Sequence, residues 1–142
     1  MTARVAWIHV APIKALAIQE LQRVELDRHG VENDRRFCIV DAEGRMLNAK
    51  RVQRFVAVRP RFDDAMRHLH LTMPDGSNIQ GAVNLGRSIS VSIYGRSVGG
   101  RVVDGPWADA LSALAGRPEP MKAPVRRSFR KRRSAPSRRR QA

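Results

Sequence analysis

Asp34 and Arg35 are the residues whose types and placement first suggest chemistry. An acid and a base stand side by side just before an apolar, β-branched run containing Phe37, Ile39 and Val40. Desolvating a charge at the mouth of a buried strand is costly unless it pairs or meets a ligand. Two readings are open: a structural Asp34–Arg35 bridge at a sheet edge, or a guanidinium presented to an anion. Lys14 poses the same choice. It follows Pro12, which ends an apolar strand because proline cannot donate to a ladder, and functional groups concentrate on such loops. A surface lysine without a role is the commoner case. Lys50, Arg51 and Arg54 form another basic cluster, which by residue type alone reads as a solvated loop.

His68 and His70, two apart on one strand face, could ligate a metal, but no third ligand at a recognisable spacing accompanies them. An exposed strand face is the reading taken. Cys38 is the only cysteine, which excludes an intrachain disulfide and a cysteine-based zinc cluster. It lies inside the Phe37–Val40 run, where a small buried residue is expected.

The net charge of +14 suggests nucleic acid until it is divided along the chain. Residues 117–142 hold eleven Lys/Arg against Glu119 alone, whereas residues 1–116 hold sixteen against twelve acids. The body is mildly basic and the C-terminal stretch strongly so. Arg126, Arg127, Arg130, Lys131, Arg132, Arg133, Arg138, Arg139 and Arg140 could neutralise phosphates without sequence specificity. Phe129 is the only aromatic there for stacking. Lacking periodicity and apolar residues, residues 119–142 cannot offset chain entropy and are expected to be a disordered Arg-rich tail. The apolar-rich run from Val5 to Ile18 is broken by His9, Pro12 and Lys14, so neither a signal peptide nor a membrane span is expected. A soluble cytoplasmic protein is the default.

The elements that must position these residues are mostly strands. Arg4–Val10 and Leu21–Leu26 read as strands, and Phe37–Asp41 pairs with Arg45–Asn48 across an Asp41–Gly44 turn. Phe55–Arg59 reads as a strand stopped by Pro60. His68–Met73 alternates cleanly, Pro74–Ser77 is a turn, and Asn78–Val83 is a weaker strand. Ile89–Ile93 alternates strictly, and Arg101–Asp104 closes the β region after glycine breaks at Gly95 and Gly99–Gly100. Pro106–Ala115 reads as a helix, stopped by Gly116 and Pro118, with Trp107, Leu111 and Leu114 on one apolar stripe. The fold expected is mostly β: a small antiparallel β-barrel with one short C-terminal helix and a disordered basic tail.

Several of these stretches resemble a known family. Val5-x-Trp7-Ile8-x-Val10-Ala11-Pro12-Ile13-Lys14 resembles the opening strand–Pro–Val/Ile–Lys–Ser motif of the N-terminal β-barrel domain in MOSC proteins. These are relatives of the molybdenum cofactor sulfurase C-terminal region and of the mitochondrial amidoxime-reducing component. Gly30-Val31-x-x-Asp34-Arg35-Arg36-Phe37, running on to Gly44, is similar to that family's G-(L/V)-x-x-D-R-x-(W/F) stretch. Leu47-Asn48-Ala49-Lys50 is similar to the L-T-x-R segment that follows, and Asp104 to Pro118 resembles the start of the MOSC domain proper. The resemblance covers residues 4–118.

The resemblance implies that Lys14 and Arg35, with Lys50 as a weaker third, lie near the phosphate of a molybdenum cofactor (molybdopterin). From the side-by-side placement of the two residues, Asp34 is expected to sit behind Arg35 and orient it. The resemblance also implies either reduction of N-hydroxylated compounds or sulfur transfer to the cofactor. Ala15 replaces the family's usual serine, and Lys50 replaces an arginine, losing the planar fork. The chain leaves the pattern after Pro118, before the cysteine that ligates the metal in the family. The resulting division is a β-barrel domain over 1–103, an incomplete MOSC start over 104–118 and the tail over 119–142. The expectation is a truncated cofactor-binding module, inactive alone, with its continuation in another reading frame. Its Trp107, Leu111 and Leu114 face should then lack a partner and favour either the missing MOSC half or self-association. Nonspecific nucleic-acid binding through the tail is the competing function. A pyridoxal phosphate enzyme using Lys14 is remote, since no acid is spaced to pair the pyridine nitrogen.

Overall fold

The structure, a computed structural model, describes residues 1–116 and the backbone of the strand at 125–127. In chain order the elements are β1 (Ile8–Val10), β2 (Gln19–Leu21), β3 (Leu26–Asp27), β4 (Gly30–Val31), β5 (Phe37–Cys38), a 3-10 turn (Gln53–Ala57), β6 (Arg59–Asp63), β7 (His68–Thr72), β8 (Asn78–Ala82), β9 (Asn84–Ile93), β10 (Arg96–Asp104), α1 (Trp107–Ala115) and β11 (Val125–Arg127). The mostly-β reading with a single C-terminal helix is therefore correct for the described residues. Every ladder is antiparallel. They form separate sheets, β1-β2, β3-β4, β6-β7-β8 and β5-β11-β10-β9, and no closed barrel appears among the described residues. The N-terminal strands are two or three residues long, cut by Pro12 and by left-handed residues at Ala15, Asn33 and Arg35. Strands so short cannot carry a continuous ladder around a barrel wall.

The Phe37–Val40 run is buried on both faces, and strand alternation sends its side chains two ways. Phe37 and Ile39 enter a main core with Ile13, Phe55, Leu69 and Trp107. Cys38 and Val40 enter a smaller cluster with Met46, Val91 and Ile93. The expected hairpin is present: Leu47 N–H donates to Ile39 O at 2.8 Å and Asp41 N–H to Arg45 O at 2.9 Å. β7 buries Leu69 and Leu71 as its alternation requires, while His68 and His70 face Gln80 and Asn78 on β8.

Four expectations need correction. Phe55–Val58 lies in and beside the 3-10 turn, and the strand begins at Arg59 with Pro60 inside it. β6 tolerates that proline because it is an edge strand, with one side free of any ladder. Gly99 and Gly100 do not break the chain but lie within β10, where β11 packs alongside at Gly100. Leu21–Leu26 is mostly loop, β2 ending and β3 beginning at its two ends. Finally, residues 125–127 of the stretch read as a disordered tail form a strand between β5 and β10. The rest of that reading lies outside the described residues.

The helix stripe also departs from expectation. Trp107 and Leu111 have no exposed surface, and Leu114 packs partly buried against the same core. α1 lies over the 3-10 turn and β8, so it finds its partner within the chain. Burying a leucine-sized side chain contributes about 1.5–3 kcal/mol, which a 142-residue chain has reason to capture internally. Gly105 is required for this packing, since a Cβ there would overlap the Trp107 ring. Two of the three residues assigned to an open docking face are thus core residues.

Candidate functional site

The site is built from two loops that hold each other. Along the first, Ala11 to Lys14, the backbone runs beside the second, Asp34 to Phe37. Arg35 N–H donates to Ala11 O at 2.6 Å, Phe37 N–H to Pro12 O at 3.0 Å, and Lys14 N–H to Phe37 O at 3.1 Å. A parallel bridge joins Ile13 to Phe37. Buried Ile13 and Phe37 anchor the pair in the main core, which leaves the polar residues beside them at the surface.

Asp34 links the loops twice. Its Oδ1 accepts Ala11 N–H at 3.0 Å, and its Oδ2 accepts Arg35 Nη1 at 2.7 Å. The Arg35 side chain is 57% exposed against 29% for Asp34, so the acid sits behind and the guanidinium faces solvent. One edge of the guanidinium is used and the remaining N–H donors stay available to an anion. The next residue is otherwise occupied. Arg36 pairs with Asp64 at 2.6 Å, donates to Asn33 Oδ1 and lies 5.0 Å from the Phe62 ring centroid.

Lys14 reaches a third segment. Its Nζ donates to Tyr94 Oη at 3.3 Å and lies 4.6 Å from the centre of the Tyr94 ring. Tyr94 is at the β9–β10 hairpin tip, and sequence reading missed it. The available signal was a Tyr-Gly pair between two alternating strands, where Asn-Gly is the usual connection. Among the described residues, the non-glycine residues with positive φ are Ala15, Asn33, Arg35, Arg67 and Tyr94; Arg35 lies in the second loop, Ala15 and Asn33 directly flank the two loops, and Tyr94 is at this tip. Such conformations collect where the chain holds groups in place for a purpose.

Lys50 is exposed in the turn after Asn48, and no hydrogen bond or ion pair joins it to Lys14 or Arg35 among the described residues. Arg126 and Arg127 lie in β11, with Arg126 in register with Phe37. Arg130, Lys131, Arg132, Arg133, Arg138, Arg139 and Arg140 lie outside the described residues. A cleft of about 200 Å3 opens near Pro12, walled by Leu21, Phe62, Arg23, Glu25 and Glu32. Neither Lys14 nor Arg35 lines it, so these cations are not part of this cleft.

A second acid–base pair lies close by in sequence. Asp41 is buried, and its carboxylate accepts Glu43 N–H at 3.1 Å, Arg45 N–H at 2.9 Å and Arg45 Nε at 2.9 Å. Burial pushes its carboxyl up, but the hydrogen bonds and charge of Arg45 outweigh that and hold it below the ordinary carboxylate value. This pair staples a turn.

The sequence profile of the MOSC N-terminal beta barrel domain matches residues 2–112. The chain belongs to this family. Among curated proteins, none matches it. The MOSC match takes in both interlocked loops, Lys50, the Tyr94 hairpin and most of α1. Members of the family are connected with the molybdenum cofactor. An exposed guanidinium and an ammonium, as at Arg35 and Lys14, are donor types that a phosphate accepts from. The metal end of the cofactor finds no ligand set among the described residues: no cluster of three metal-binding side chains is present, and Cys38 is buried in the smaller core. No described helix is long and apolar enough to cross a membrane.

Proposed function

We propose that this MOSC N-terminal domain holds the phosphate of a molybdenum cofactor at Arg35 and Lys14, with Asp34 keeping Arg35 in place. The observation that carries the reading is the double role of Asp34, which ties the Ala11 loop to its own and braces an outward guanidinium. An arginine braced from behind keeps its geometry while empty, so less side-chain freedom is lost on binding. Arg35 would take two phosphate oxygens and Lys14 would add a point charge, Lys50 approaching as a third cation. When bound, the cofactor supplies the metal centre for reduction of N-hydroxylated compounds or for sulfur transfer. This chain's described residues bind and orient it. Their sole thiol, Cys38, is buried, so their part is holding the group and not ligating its metal.

Calorimetric titration with inorganic phosphate at low and high salt tests the reading. Binding should be weak, should weaken further with salt because the site is exposed, and should fall at least tenfold in Arg35→Ala. Equal phosphate binding by Arg35→Ala would remove the basis for the proposal.

The charge of residues 117–142 favours a second, separate contact. We propose nonspecific nucleic-acid binding there, with affinity falling steeply as salt rises. Arg130→Ala should weaken binding to duplex DNA and leave phosphate binding at Arg35 unchanged.

A further inference from the structure

The cleft beside Pro12 takes no part in the anion site. Val10, Leu21, Val24 and Phe62 give it apolar walls, and the carboxylates of Glu25 and Glu32 line it as well. Arg23 is the one cation among its walls, so the acids outnumber it. Both glutamates are exposed, and neither side chain has a hydrogen bond or ion pair among the described residues. They belong to an acidic island. Residues 19–34 hold five acids against two arginines, in a chain whose net charge is +14.

A second observation is where the C-terminal stretch leaves the sheet. β11 runs antiparallel to β5, Val125 pairing with Cys38 and Arg126 with Phe37. A chain continuing past Arg127 therefore heads back along β5 toward Asn33 and Glu32, and both of these line the cleft. Phe37, on the last of those rungs, has its ring 5.1 Å from that of Phe62, a cleft wall. The residues after Arg127 lie outside the described residues. Their sequence opens Ser128-Phe129-Arg130-Lys131-Arg132-Arg133, an aromatic residue followed at once by four cations. At about 3.3 Å per extended residue, Phe129 is within about 7 Å of Arg127.

We propose that this segment of the chain docks in the cleft, with Phe129 against the apolar walls and the cations on Glu25 and Glu32. The ring supplies the apolar area that such a cleft can take from water. Exposed ion pairs add little singly, but the tether makes the contact intramolecular, at an effective concentration of about millimolar. The docking deepens the nucleic-acid reading above, and its regulatory meaning rests on that reading. The cations that would meet phosphates are held on the body until a polyanion draws them off.

The test uses the full chain labelled with 13C in its valine and leucine methyl groups. A ring seated in the cleft displaces the Val10, Leu21 and Val24 signals, and Val91, in the smaller core, is the control. Phe129→Ala should shift the first three and leave Val91 still. Arg130→Gln, Lys131→Gln, Arg132→Gln and Arg133→Gln made together should shift the same three toward their Phe129→Ala positions. Tenfold dilution of the unaltered chain should change nothing. Duplex DNA added to it should bring the three signals to their Phe129→Ala positions. If Phe129→Ala or the fourfold variant leaves the three signals in place, the cleft does not hold this segment and the proposal fails. If the signals change on dilution, the occupant comes from a second copy, and docking within one molecule is overturned. If DNA binds and the signals stay, the regulatory role falls. If DNA does not bind at all, the nucleic-acid reading fails, while the Phe129→Ala shifts still decide the docking.

Discussion

Asp34–Arg35 and Asp41–Arg45 are the same two residue types in one short stretch, and the fold uses them in opposite ways. Asp41 is the buried member, its side chain 2% exposed, and every group around it donates inward. Asp34 is partly exposed and spends one oxygen on a backbone N–H of another loop, leaving Arg35 pointing out. The lesson concerns the acid. Where the carboxylate is buried and saturated by its own turn, the arginine is its accessory and the pair is structural. Where the carboxylate braces from behind, the arginine is the presented group.

The comparison predicts a descending series of stability effects. The largest belongs to Asp41→Ala, which leaves the Glu43 and Arg45 N–H groups without their acceptor inside a tight turn. Gly44, at φ 79° and close to Ser90 O, gives that turn little room to rearrange. A loss of roughly 2–3 kcal/mol in chemical denaturation is expected. A loss under about 0.5 kcal/mol, the range of ordinary surface changes, would mean the turn does not depend on this carboxylate.

Acid should reveal the same residue by another route. The Asp41 carboxyl is held below its ordinary value of 3.8 in the folded chain. A group with a depressed folded pKa gives its full contribution above the unfolded value and loses it as pH falls toward the folded one. Stability measured from pH 6 downward should therefore decline below about pH 4, and Asp41→Asn should flatten that part of the decline. An unchanged acid limb in Asp41→Asn would assign the decline to other carboxylates.

How much of this was legible in the sequence depends on whether the signal was local. The β7 alternation, the Asp75–Gly76 turn, the Asp41 hairpin and the Gly116 stop of α1 are fixed by neighbours in sequence, and all were read correctly. Errors came where distant packing decides. Phe55 and Val58 look like strand residues, yet a helix lying over them favours a 3-10 turn. Gly99–Gly100 looks like a break until β11 is set beside it. The helix stripe looked orphaned because its partners, Gly81 and the 3-10 turn, lie far back in the chain. At the site, Asp34 and Arg35 drew attention by type alone. Lys14 gained significance only through the family motif, and Tyr94 through nothing but an unusual hairpin tip. Pairing of the two loops is carried by backbone hydrogen bonds, which side-chain patterns do not record.

Asp34→Ala should come next in size. It removes one acceptor from the half-buried Ala11 N–H and the brace from Arg35, at a cost of about 1 kcal/mol. Here stability and binding should move together, since one carboxylate serves both. Thermal unfolding and phosphate titration on the same variant check it. Weakened phosphate binding at unchanged stability would show that Asp34 acts on the guanidinium alone, with no role in joining the loops.

The smallest stability effect should come from the most conservative change, made at both arginines. Arg45→Lys keeps a charge beside Asp41 but loses the fork that reaches Asp41 and Glu43 together. It should lower the denaturation midpoint modestly and leave phosphate binding alone. Arg35→Lys keeps a charge on a mostly exposed side chain, so the midpoint should not move. Phosphate binding should nonetheless weaken, because an ammonium cannot take two oxygens in the guanidinium's planar geometry. The two variants should thus cross: one loses stability and keeps binding, the other the reverse. If both lose stability alone, Arg35 is a structural partner like Arg45, and the two pairs differ only in how deeply they are buried.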